Sequence, residues 1–107
     1  MEPEKRLYAL EKFGQAVQDL ITHPDRVQDR LRAAYMRFHP VRETDLPEGE
    51  LRRLFIGIKD DLIFDEPGPR QRQGRLGATL EGLSDEDASA VAARIWRLYC
   101  GLLGTNG

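Results

Sequence analysis

The sequence predicts an all-α fold, a single small four-helix bundle-like domain with a mobile Pro/Gly/Arg-rich loop before the last helix. Three observations predict it. Four stretches carry apolar residues at the three- and four-residue spacing of one helix face. Three joints carry helix-start chemistry: Thr22 with Asp25, Asp45 with Glu48, and Ser84 with Asp87. All connections but one are short, which favours antiparallel neighbours.

The totals agree with one domain over residues 1–107. A chain of 107 residues is long enough to bury a core without a staple. Its 40% apolar and 32% charged content belongs to a globular chain on the polar side. A net charge of −2 argues against a strong pull toward nucleic acid or anionic membrane. The lone cysteine, Cys100, permits no intrachain disulfide and fits a reducing compartment. Met1 is followed by Glu2, Pro3 and Glu4, the opposite of a basic leader, and the densest apolar run, Leu54 to Ile58, is too short to span a membrane. The expected location is the cytoplasm.

The first helix is expected over Glu4 to Ile21. Leu10, Phe13, Val17 and Leu20 form its stripe, widened by Leu7, Gly14 and Ile21. Gly14 costs about 1 kcal/mol against Ala, and its place on that face suggests close approach of another helix. Thr22 and Asp25 then cap a second helix running from about His23 to Phe38, with Pro24 harmless in its first turn. Val27, Leu31, Ala34, Tyr35 and Phe38 give its stripe, and Pro40 stops it. Val41 to Thr44 is a connection. The third helix is expected from the Asp45 cap to about Ile63, on a stripe of Leu51, Leu54, Phe55, Ile58 and Leu62.

Asp65 to Gly77 is rich in Pro, Gly, Arg and Gln and reads as an exposed, mobile loop. Leu76, Ala78, Leu80 and Leu83 suit a short helical turn that lands it on the core. The last helix follows Ser84. Ala88, Val91, Ala92, Ile95, Leu98, Tyr99 and Leu102 form one apolar face, and Ala93, Trp96, Cys100 and Leu103 an adjoining row. Residues 104–107 read as a frayed tail. The expected core is Leu10, Phe13, Val17, Leu31, Tyr35, Phe38, Leu54, Phe55, Ile58, Leu62, Val91, Ile95, Leu98, Tyr99 and Leu102.

His23-Pro24-Asp25 resembles the tripeptide of J-domain co-chaperones. In that family the tripeptide sits in a loop after a basic helix. Here the preceding helix is mixed in charge and the next is expected to begin at the tripeptide itself. Leu31 to Pro40, with Ala34-Tyr35 leading to His39-Pro40, resembles the family's second helix more closely, but Val41 stands where the family has aspartate and the spacing from Tyr35 is too short. Cap chemistry accounts for His23 to Asp25 without the family.

No catalytic residue, cofactor or metal site is expected. His23, His39 and Cys100 lack the paired spacing that ligands on one helix need. Cys100 lies on an apolar, Trp-bearing face rather than in an electropositive setting. The acids Asp60-Asp61, Asp65-Glu66 and Asp85 to Asp87 are sequence neighbours, about 100° apart if helical, and make no dyad alone. The glycines Gly68, Gly74 and Gly77 match no phosphate loop.

Two binding readings remain. Trp96, Cys100 and Leu103 on the last helix, with Ile56 and Ile63 on the third, either pack inside the monomer or exceed what one small core covers and form, with Arg97, a partner-binding surface. Apolar surface rimmed by charge marks protein contacts, and Trp with Arg is typical of interface anchors. The first reading is therefore a non-enzymatic protein–protein interaction module, a small accessory, regulatory or immunity-type subunit. Its partner is a foreign protein or a second copy in a homodimer. The alternative is a nucleic-acid-associated regulator that uses Arg70, Arg72 and Arg75 with Arg26, Arg30 and Arg37. No aromatic interleaves those loop arginines for base stacking.

Overall fold

The computed structural model describes residues 3–62, 80 and 82–104. Among the described residues the protein is all-α, with four helices and no strand: α1 (Pro3–Thr22), α2 (Val27–Phe38), α3 (Glu50–Leu62) and α4 (Asp85–Leu103). A 3-10 turn, Glu43–Asp45, separates α2 from α3. Leu80 and Gly82 are also helical, just ahead of α4.

Three aromatic rings tie α1, α2 and α3 together. Phe13 stacks on Phe38 with centroids 4.7 Å apart, and Phe55 meets both rings edge-on. Burying such rings removes a large apolar area from water and adds a geometric preference for these arrangements. α4 then lays Ala88, Val91, Ile95, Leu98 and Leu102 onto that centre.

The close approach expected at Gly14 is there. A Cβ at Gly14 would stand 3.4 Å from Tyr99 Cε1, so the ring of α4 lies against bare backbone of α1. Arg6, near the start of α1, donates to the carbonyl of Leu102 at 2.7 Å, so the end of α4 meets the start of α1. The two helices thus run in opposite directions. Arg94 pairs with Asp61 across Gly57, while Gly101 abuts Leu51, and this antiparallel register joins α4 to α3. α4 therefore packs between α1 and α3.

Several expectations at helix ends are corrected. Thr22 does not cap the second helix; its hydroxyl donates back to Gln18 O at 2.8 Å and extends α1 by one residue. α2 begins at Val27, because Arg26 is extended (φ −55°, ψ 156°) while its carbonyl accepts the first helical bond, from Arg30. His23 to Asp25 thus lie in the connection. Asp45 does not start the third helix either. Its carboxylate accepts from Arg42 N–H at 2.9 Å and closes the 3-10 turn behind it. α3 waits until Glu50, since Gly49 has φ +112°, a left-handed backbone that no α-helix contains. Only the third cap is made as expected: Ser84 Oγ accepts from Asp87 N–H at 3.0 Å. At the other end, Gly104 adopts φ +84° and its N–H caps α4. The mobile-loop expectation for 65–77, with Leu76 and Ala78, and the tail beyond Gly104 lie outside the described residues.

The core differs from expectation at its edges. Leu10, Leu54 and Tyr99 are only partly buried. Phe13 and Val17 of the expected α1 stripe are buried, but Leu7 and Ile21 are exposed, and the covered face is shifted toward Ala9 and Ala16. Val41 and Leu46, in the connection between α2 and α3, are also buried.

Candidate functional site

Ser84 and the acids of the first turn set the start of α4, and Gln28 of α2 holds it in place. The Gln28 amide donates to Leu83 O at 3.0 Å and to Asp85 Oδ1 at 2.9 Å. Arg6 holds the other end. The inward stripe fixes the rotation of the helix, so its outward row is a consequence of core packing rather than of any surface preference.

That outward row is Glu86, Ser89, Ala90, Ala93, Trp96, Arg97 and Leu103, all exposed. Trp96 keeps 50% of its surface open and Leu103 47%. The indole of Trp96 leans toward the Tyr99 ring, with centroids 6.1 Å apart. Arg97 is the one exposed basic side chain of the described outward row, and Glu86 marks its acidic end. Ser89, Ala90 and Ala93 between them are small. The row is readable from helical spacing once α4 is oriented, although the sequence reading singled out only its large apolar members and Arg97.

Cys100 is a correction. It follows Trp96 by one turn but is only 6% exposed. With so little surface open, Cys100 offers almost no contact area.

Ile56 is 37% exposed on α3. α3 meets α4 on the side that bears Arg94 and Gly101. Arg94 and Trp96 are two residues apart, so they point about 160° away from each other. Ile56 and Trp96 are thus on opposite flanks of α4 and do not make one patch. Ile63 lies outside the described residues, as do Arg70, Arg72 and Arg75.

The arginines of the nucleic-acid reading are already engaged where the structure describes them. Arg26 pairs with Asp29 at 3.3 Å, Arg30 donates to Leu20 O at 3.1 Å, and Arg37 donates to Asp19 Oδ2 at 2.8 Å. The Asp19 hydrogen bond, and then its charge, hold the Arg37 guanidinium above its ordinary pKa. Arg30 and Arg37 tie α2 to α1, while the Arg26 pair is local. His23 and His39 are both exposed; His23 Nδ1 lies 3.3 Å from Asp25 Oδ2, and the His39 ring stacks on Tyr35. Among the described residues no group of three or more His, Cys, Asp or Glu side chains could hold a metal ion. Among them, too, no helix is long and apolar enough to cross a membrane.

Compared with protein-family models, curated proteins and solved structures, the chain matches none. The likeness to J-domains therefore stays confined to the quoted residues. The tripeptide does lie between two helices, as that family has it, but this placement carries no wider similarity.

Proposed function

We propose that this chain is a non-enzymatic interaction module, a small accessory, regulatory or immunity-type subunit that binds protein through the outward row of α4. One observation carries the reading. Trp96 is half open to solvent on a helix whose opposite face is fully committed to the core. Trp exposes a costly apolar surface unless something covers it, and with Arg it is the residue type most enriched at binding hot spots. Arg97 and Glu86 supply a polar rim on the same row. The reading places the module in a reducing compartment such as the cytoplasm, in keeping with its single thiol.

The test is retention on an immobilised chain. Wild type and Trp96→Ala are loaded side by side with extract of the source cell, to which a tagged second copy has been added. A protein held by wild type and lost from Trp96→Ala, with unchanged circular dichroism, supports the reading. Equal retention by both chains, or none by either, defeats it.

A further inference from the structure

The interaction reading leaves the partner open, and the outward row itself narrows it. The row is ordered along the helix. Glu86 stands at its start, Ser89, Ala90 and Ala93 in the middle, and Trp96 with Arg97 in the second half. All six are exposed. Charge and size are thus both segregated: acid at one end, base at the other, small side chains before a large one.

Such an order is self-complementary when two copies pair antiparallel. A two-fold axis perpendicular to the helices and passing near Ala93 relates residue i of one copy to about residue 186 − i of the other, by the constant rise along a helix. Arg97 then lies level with residue 89 of the second copy, within an arginine's reach of Glu86 one turn further on. At about 100° per residue Arg97 and Glu86 point within about 20° of each other, on one side of the seam. Trp96 falls on the other side with Ser89 and Ala93, whose directions differ from its own by about 20° and 60°. The small side chains leave room for the indole. Each contact occurs twice, as an isologous interface requires.

We infer that the outward row of α4 docks a second copy of this chain, antiparallel, with Trp96 over Ser89 and Ala93 and Arg97 opposite Glu86. This rests on the interaction reading and commits it to one occupant. The charge order is what selects it. A parallel pairing would set Glu86 beside Glu86 and Arg97 beside Arg97, and like charges at close range are repulsive.

The test is sedimentation of the purified full chain over a concentration series, with Trp96→Ala, Glu86→Arg, Arg97→Glu and the double variant Glu86→Arg/Arg97→Glu. Circular dichroism and melting confirm that each variant folds. Wild type should dimerise, and Trp96→Ala should weaken the dimer by about thirtyfold or more, as loss of an anchor does. Each single charge reversal should weaken it by about tenfold, and the double variant should recover most of that loss. Conventional additivity without recovery would overturn the antiparallel pairing. A wild type that stays monomeric at high concentration would overturn the second copy as partner. In that case the interaction reading still stands if the extract experiment finds a foreign protein whose retention depends on Trp96, and falls if it does not.

Discussion

On the inward side of α4, Ala88, Val91, Ile95, Leu98 and Leu102 are all at most 3% exposed. On its outward side Ser89, Ala93, Trp96 and Leu103 are open. Both faces carry large apolar side chains, so hydrophobicity alone does not separate them. What separates them is what stands opposite. The inward row meets the aromatic centre built by Phe13, Phe38 and Phe55, with α1 and α3 closing its flanks. The outward row, Cys100 apart, stays open. One face therefore belongs to folding energetics, and the other takes little part in the core. Single substitutions can test that division.

The largest effect should come from the inward face. Ile95 is fully buried between Val91 and Tyr99. Ile95→Ala should cost about 2–5 kcal/mol, the lost transfer energy plus a cavity. Chemical denaturation would measure it. A loss under about 1 kcal/mol, the scale of a surface site, would mean that the inward face is misplaced.

A smaller effect is expected where α4 is held in position. Gln28 is buried, and its amide serves Leu83 O and Asp85 together. Gln28→Ala leaves the part-buried Leu83 carbonyl without its donor, which should cost about 1–3 kcal/mol. At the same end, Ser84→Ala removes the acceptor for Asp87 N–H and should cost about 1 kcal/mol. Hydrogen exchange at the first turn of α4 would locate both losses. If exchange there is unchanged in both variants, the anchoring of this end lies elsewhere.

The existence of the four helices was legible because each repeats its apolar residues at helical spacing. The face of α1 was harder to read. Leu7 and Ile21 weigh heavily in any hydrophobic count, yet they are exposed, while Ala9 and Ala16 are fully covered. Where helices approach closely, small side chains are the ones that fit, so side-chain size misranks the positions. Val41 and Leu46 sit in a connection, where no period announces burial. Cap signals were legible in composition but ambiguous in use: Thr22 closes the helix before it, and Asp45 folds back onto Arg42. Side chain–backbone hydrogen bonds of this kind serve either direction of the chain. Of the candidate site, spacing set Trp96, Arg97 and Leu103 apart from the core stripe but left open whether they are covered, and they are exposed. The depth of Cys100 was not legible, because by spacing it belongs to the same row as Trp96 and Leu103.

The smallest effect on stability should be at Trp96, and it sharpens the comparison most. A buried tryptophan replaced by alanine costs about 3–5 kcal/mol. Here half of the side chain is already in water, and its ring partner Tyr99 lies on the same helix three residues on. Part of what covers Trp96 is thus its own helix, and that cover survives in any helical state. Alanine also suits a helix interior better than tryptophan by several tenths of a kcal/mol, which offsets part of the lost contact. Trp96→Ala should therefore change folding stability by under about 1 kcal/mol. The measurement is a denaturation midpoint taken at a concentration low enough that association does not contribute, since binding a second copy would itself raise apparent stability. A loss of several kcal/mol in that dilute state would put Trp96 in the core and dissolve the difference between the two faces of α4.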